Sequence, residues 1–314
     1  MKSKIINAVK TAVIFLFLGL TALSCDKDEF PVNDSNTVDY HQTAVTQFVT
    51  VDGTKFAYRV LGKESDIPLV LVASLGSSMD DWDPAVTNGL ARTNKVILFD
   101  IAGVGSSGGV TPDNIQDMAK GVVRFINALG YNKVNLLGFS MGSFISQQVV
   151  LTNPALVNKL ILTGTGPKGA DGLSNLPKLL ASTAGLSQEE FLLKFAFTSS
   201  AASIDSGKRS YERIQKRMVA RDIPASQQSS TAQVKAVLGW AQPYPDAFKE
   251  LKTITQPVLI VQGQYDLPVP VVNAINMSHN IPGAQLIVYP DAGHAAFFQY
   301  PGEFVQAALE FLNK

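Results

Sequence analysis

The amino-acid sequence predicts an α/β fold, a doubly wound and mainly parallel sheet with an inserted helical cap. Three observations carry this. Continuous apolar runs of strand length recur at 68–74, 95–100, 133–139, 156–164, 257–263 and 284–289, the pattern of strands buried on both faces of a parallel sheet. Segments with helical spacing separate most of them. Between residues 165 and 252 the alternation lapses into helical stretches rich in Ser, Ala and Gln, then resumes. The chain has 314 residues, room for one large α/β domain or two small ones, and its 46% hydrophobic against 17% charged side chains predict a sizeable core rather than wholesale disorder.

The chain opens with Lys2, Lys4 and Lys10, then an uncharged apolar run from Thr11 to Ser24. This reads as a basic n-region and an h-region, shorter than the roughly 18–20 residues a spanning helix needs. The following stretch, LTALSCDKDE, resembles a bacterial lipoprotein signal, with small residues leading to Cys25, the chain's one cysteine. The resemblance implies removal of residues 1–24, lipidation of Cys25, and a lipid membrane as partner. The location implied is the bacterial cell envelope, the outer membrane above all, and the acidic residues after Cys25 point to surface exposure. The alternative is a cleaved secretory signal with a chance cysteine. Residues 25–43 are polar, lack periodicity, and read as a lipid-anchored tether.

From Ala44 the elements follow in order. Residues 44–51 and 55–62 alternate and are split by Asp52-Gly53, a hairpin signal. The runs at 68–74 and 95–100 are buried strands. Residues 113–129 have helical spacing and end at Gly130, a C-cap. A strand at 133–139 leads into a helix over 141–152 that stops before Asn153-Pro154, and 156–164 is a further strand. After the insertion come the strand 257–263, a helix near 270–280, the strand 284–289 and a C-terminal helix from about Pro301. The expected division is a core of 44–164 and 253–314 with a helical cap of 165–252.

A formal net charge of zero gives no global reason to expect a nucleic-acid partner. His41, His279 and His294 lie far apart and there is one cysteine, so no zinc-site spacing exists. Chemistry gathers instead at LLGFSMGSF, residues 136–144. Gly138-x-Ser140-x-Gly142 is weak as a bare pattern. Its context is specific: Ser140 follows an apolar strand and opens a helix, as a nucleophile elbow requires. The glycines permit close approach of strand and helix around a serine at unfavourable φ/ψ. A serine hydroxyl needs a base to take its proton. His294, in YPDAGHAAFF after the last strand, is the candidate, since His279 falls in a predicted helix and His41 in the tether. Asp266, in VQGQYDLPVP after the preceding strand, is the natural partner to hold the imidazole. The order Ser, Asp, His suits this architecture.

With GFSMG, GQYDLPVP, DAGH and FDIAGVGSS in this order, residues 44–314 resemble the α/β-hydrolase fold superfamily. VASLGSSMDDWD is similar to the oxyanion loop of enol-lactonases acting on 3-oxoadipate lactones. The general likeness is to the esterase, lactonase and perhydrolase group with a helical cap. The resemblance implies a Ser140–Asp266–His294 triad, an oxyanion hole from the backbone N–H groups of Leu75 and Met141, and an apolar acyl-side wall. It implies a serine hydrolase cleaving a small-molecule ester or lactone through an acyl-enzyme, with no metal or organic cofactor. The alternatives are carbon–carbon hydrolysis or perhydrolysis by the same triad, and a non-catalytic binding protein on the same scaffold.

The chain departs from the family pattern in four places. Ala73-Ser74 stands where His-Gly is common, Ala102 where Arg is, Gln299 where Glu is, and Ser143 where Gly is frequent. Other patterns have blander explanations. Gly103-x-Gly105-x-x-Gly108 matches a dinucleotide fingerprint formally, but Pro112 follows at once, and a loop near the active site fits better. Residues 208–221 hold six basic side chains and one acid, read as a solvated helix face, with an anion- or headgroup-attracting patch as the alternative. Trp82 and Trp240 are expected to pack, with Trp240 able to reach substrate, and Asp100 to fix a loop.

Overall fold

The computed structural model describes residues 38–314. The expected signal peptide and Cys25 lie outside the described residues, as does most of the expected tether. Eight strands form one sheet among the described residues: β1 Gln47–Val51, β2 Thr54–Gly62, β3 Leu69–Val72, β4 Lys95–Phe99, β5 Val134–Phe139, β6 Val157–Thr163, β7 Val258–Gly263 and β8 Gln285–Tyr289. Their order is β1-β2-β4-β3-β5-β6-β7-β8. β2 pairs antiparallel with β1 and β4, and every later pairing is parallel. The expected mainly parallel, doubly wound sheet is present. Asp52 and Gly53 both take positive φ, 47° and 77°, in a two-residue turn that suits the twist of the β1–β2 hairpin.

The helices are α1 Tyr40–Thr43, α2 Pro84–Ala91, α3 Ile115–Ala128 and α4 Met141–Thr152, then α5 Leu176–Ala181, α6 Gln188–Ala196, α7 Ala201–Ile214, α8 Gln227–Trp240 and α9 Ala247–Leu251. α10 Val272–Asn280, α11 Ala296–Gln299 and α12 Pro301–Asn313 complete the chain. α5 to α9 form a strandless helical insertion between β6 and β7. The central strands are buried throughout. On β3, Val70 and Val72 join one core layer with Ile126 of α3 and Phe144 of α4. Leu69 and Leu71 join the other with Leu90 of α2 and Phe304 of α12. Each such side chain contributes roughly 1.5–3 kcal/mol on burial, which is why β3 is apolar at every position. The chain steps from β3 outward to β4 and returns to β5 on the far side of β3. The carboxyl ends of β3 and β5 therefore meet where the winding reverses, the place such sheets bind ligands.

Two expectations need correction. Residues 40–43 are not tether. They form α1, capped by Asp39, with His41 buried, its main-chain N–H donating to Asn88 Oδ1 at 2.8 Å and its Nδ1 2.9 Å from Thr87 Oγ1. The basic stretch 208–221 is not wholly a solvated face either. Arg217 is buried and donates to the carbonyls of His41, Gln42 and Ala44, and Arg213 makes a two-pronged bond to Asp83 at 2.7 and 2.6 Å. Beside them Arg59 of β2, fully buried, donates to Asp80 at 2.6 Å and to Asp222 at 3.1 Å. Unpaired charge cannot be buried cheaply, so these pairings tie the α1 segment, β2, α2 and the insertion into one body.

Burial pushes the His41 imidazole down from 6.5 to about 4, with Arg59 and Arg217 adding to the effect and Asp80 opposing it. Between those values the unfolded chain binds the proton and the folded chain does not. Stability is therefore full above the unfolded value and is lost as pH falls toward the folded one. Urea unfolding at about pH 7 and about pH 4.5 should show a stability loss that is smaller in His41→Met by about 2 kcal/mol.

Candidate active site

Ser140 occupies the junction between β5 and α4, with φ 55° and ψ −118°, a conformation that costs a non-glycine residue strain. The surroundings impose it. A Cβ on Gly142 would overlap the Val72 carbonyl of β3, and one on Gly138 would fall against the Gly142 carbonyl. Strand and helix thus approach to backbone distance. The Ser140 N–H donates to Thr163 O of β6 at 2.9 Å. Ser143 strengthens the junction: its hydroxyl lies 2.6 Å from Gly138 O and 2.9 Å from Thr163 O, and accepts from Thr163 N–H at 3.1 Å. Glycine there would leave this gap unbridged.

His294 lies on the loop between β8 and α11. It is buried, with Phe139 at 5.1 Å and Phe195 edge-on at 5.8 Å between ring centres. Its Nδ1 is 2.8 Å from Asp266 Oδ2. Asp266 follows β7 and is itself buried. Its Oδ1 accepts from Val269 N–H at 2.8 Å, and its Oδ2 also accepts from Gln262 Nε2 at 2.7 Å. Gln262, which sequence reasoning missed, also accepts from Thr165 N–H at 2.9 Å and so fixes Asp266 to the sheet. The far nitrogen of His294, Nε2, is buried with no protein partner among the described residues. Gly164 packs against the imidazole, where a Cβ would touch Cε1 and Nδ1.

Ser140, His294 and Leu75 line one cavity of about 690 Å³, a size usual for small-molecule sites. Met141 is buried at the first position of α4, directly after Ser140. Leu75 and Gly76 form a turn after β3, with Gly76 at φ 77° and its N–H donating to Gln233 Oε1 of α8 at 2.6 Å. Gln233 is fully buried and was not singled out from the sequence. The insertion supplies most of the wall, including Leu180, Phe191, Phe195, Ile214 and Val234. It also grips the histidine loop, through Ala295 N–H to Ala196 O at 2.9 Å.

The remaining sequence candidates have other roles. His279 is exposed near the end of α10, and His41 is buried beside α2. Asp100 accepts from Met79 N–H at 2.8 Å and Ser106 N–H at 3.1 Å, fixing the loop as expected. Burial first, and the Asp222 carboxylate second, push it up to about 8. A Cβ on Gly105 would strike that carboxylate, so the glycine pattern at 103–108 serves this loop. Trp82 packs near Phe297 and Phe298, and Trp240 stacks on Phe144 at 5.5 Å. Gln299 accepts from Ser203 at 2.7 Å and donates to Asp291 O, while the Ala102 carbonyl accepts from Thr111, so the two uncharged departures have separate partners.

Comparison with known proteins gives one picture. The family described as alpha/beta hydrolase fold matches residues 67–301. A solved structure described as an alpha/beta hydrolase fold protein from Chitinophaga pinensis is 38% identical, covers 87% of this chain and 99% of its own, and superposes with a TM-score of 0.85. A hydrolase from Burkholderia vietnamiensis named for 2-hydroxy-6-oxononadienedioate is 27% identical over 89% of this chain and 100% of its own length. A pimeloyl-[acyl-carrier protein] methyl ester esterase from Aliivibrio salmonicida is 28% identical over 83% and 97%.

The strained turn makes its own prediction. Ser140→Gly relieves the positive φ, and Ser140→Ala does not. Urea unfolding should find the glycine variant more stable than the alanine variant by about 1 kcal/mol, against the usual ranking of the two residues.

Proposed function

The chain belongs to the alpha/beta hydrolase fold family, and on that premise we propose that it is a serine hydrolase of carboxylic esters or lactones. The observation that carries the reading is Ser140 on its strained turn, opening on the same cavity as a His294 whose other nitrogen is held by Asp266. In this reaction His294 Nε2 takes the Ser140 proton as Oγ attacks the carbonyl carbon. The N–H groups of Leu75 and Met141 receive the oxyanion. The tetrahedral intermediate collapses, the C–O bond breaks, and His294 returns the proton to the leaving alcohol. Water then attacks the acyl-enzyme with His294 as base, and the acid leaves Ser140 free. Asp266 holds the imidazole in the tautomer this needs and balances its charge. Carbon–carbon hydrolysis or perhydrolysis would employ the same groups, and product analysis separates them.

We also propose that Cys25 carries a lipid and holds the domain at a bacterial membrane, on the strength of the basic and apolar residues that precede it. Among the described residues no helix is long and apolar enough to cross a membrane.

Hydrolysis of p-nitrophenyl esters from acetate to octanoate should be measurable for the protein and absent in Ser140→Ala. Asp266→Asn should retain the fold and lose about 10⁴ in kcat. A fluorophosphonate should label Ser140. No turnover together with an unlabelled Ser140 would move the reading to a binding protein on a hydrolase scaffold.

A further inference from the structure

The charge lining the Ser140 cavity is lopsided. Its walls carry aliphatic and aromatic side chains from the insertion and a few neutral polar groups such as Tyr211 and Gln227. Among the described residues no lysine or arginine lines it, and Asp81 is its one carboxyl group. The nearby arginines are committed elsewhere: Arg59 and Arg217 to Asp80, Arg213 to Asp83, and Arg221 to the carbonyls of Ile214 and Arg217. Asp81 stands in the short 3₁₀ turn Met79–Asp81, close after the Leu75–Gly76 loop. Its Oδ2 accepts from the N–H of Ser78 at 2.8 Å and from the Ser78 hydroxyl at 3.2 Å.

We propose that this site selects uncharged substrates and turns away those carrying a carboxylate or phosphate on the part that enters the cavity, with Asp81 as the residue that sets this selectivity. The inference rests on the ester-hydrolase reading of Ser140 and deepens it by naming the substrate class. A carboxylate on the acyl tail has to shed water to enter, which is costly wherever no partner replaces that water. A site built for such a group would return that cost through a lysine or, better, an arginine fork, and none faces this cavity. A second carboxyl group in a poorly solvated space adds repulsion wherever both are ionised. An aliphatic tail meets none of these penalties and gains from covering Leu180, Phe191 and Val234. Burial raises the Asp81 carboxyl above the ordinary carboxylate range, with the Ser78 hydrogen bonds and Arg221 opposing and Asp80 reinforcing the shift. Protonated or not, it offers no cation to an anionic tail.

The test compares p-nitrophenyl hexanoate with mono-p-nitrophenyl adipate, which have the same acyl length and differ by a terminal carboxylate. Each kcat/KM is divided by the rate of the same ester with hydroxide, which removes intrinsic reactivity. The normalised ratio should favour hexanoate by about 100-fold or more. Asp81→Asn keeps an oxygen for the Ser78 N–H and should narrow the ratio at least severalfold, by raising the adipate rate. Leu180→Lys, at a half-buried position where the ammonium can reach solvent, should narrow it by supplying the missing cation. It tests the same idea without disturbing the Ser78 turn. An adipate monoester within about threefold of hexanoate in the unaltered protein overturns the proposal. So does a ratio that Asp81→Asn leaves unchanged in a folded protein. Absence of turnover on both esters with Ser140 unlabelled by fluorophosphonate would be a different result. It would remove the hydrolase reading itself, and the selectivity with it.

Discussion

Backbone contact between α4 and the ends of β3 and β5 governs the rest of the site. Gly142 sits against the Val72 carbonyl, and Gly138 against the Gly142 carbonyl. Nothing larger than glycine fits either position without pushing helix from sheet. The approach does three things together. It forces Ser140 out of the ordinary φ range, points the first amides of α4 at the space above the sheet, and brings the loop after β3 alongside the same space. The candidate nucleophile and both candidate oxyanion donors thus derive from one packing constraint. The strain at Ser140 is offset by hydrogen bonds around it, those of Ser143 and Thr163 above all.

Polar bonds hold the insertion over this junction at several separate points. Gln233 takes the Gly76 N–H, Ala196 takes the Ala295 N–H, Arg213 takes Asp83, and Asp222 joins Arg59 and Asp80. Two of these bonds end on the candidate oxyanion loop and the histidine loop. The insertion is therefore part of the framework that shapes the site, and its apolar side chains form the cavity wall. The buried ion pairs are not obviously stabilising in themselves, because desolvation offsets much of the attraction. They do make a shifted insertion costly, since any shift leaves a buried charge without its partner.

Strands β3 to β8 were legible because a parallel sheet that buries its inner strands on both faces leaves continuous apolar runs, and each falls within its run. β1 and β2 were legible from alternation around Asp52-Gly53, with β2 starting at Thr54, one residue before the expected 55. The helix α4 occupies the expected 141–152 because Ser140 and Asn153-Pro154 bound it. Asp83-Pro84, a cap followed by a favourable first residue, marks the start of α2 in the sequence itself. His41 reads as polar in a polar stretch. Only a fold that brings α2 and Arg217 beside it makes it interior. The insertion was legible as helical but not as a surface. Which of its residues face Ser140, and that Gln233 reaches Gly76, depends on contacts spanning more than a hundred residues, and local periodicity carries no such information.

The departures from the family pattern make physical sense in one direction. Where histidine-glycine is common, Ser74 lies 2.8 Å from Ser77 and closes the turn with neutral hydroxyls. Where a glutamate is common, Gln299 meets Ser203 and the Asp291 carbonyl, contacts a carboxylate could make only in part, since it cannot donate to that carbonyl. Ala102, whose carbonyl meets Thr111 instead, brings no cation of its own. The charge that remains nearby is drawn into the Arg59, Asp80 and Asp222 cluster, away from the cavity. Charged groups in this chain bind the insertion to the core, and the space above Ser140 is left to apolar side chains, neutral dipoles and one carboxyl. Charge used for assembly is then unavailable for recognition, which is the arrangement expected of a site whose substrate is held by shape and apolar contact.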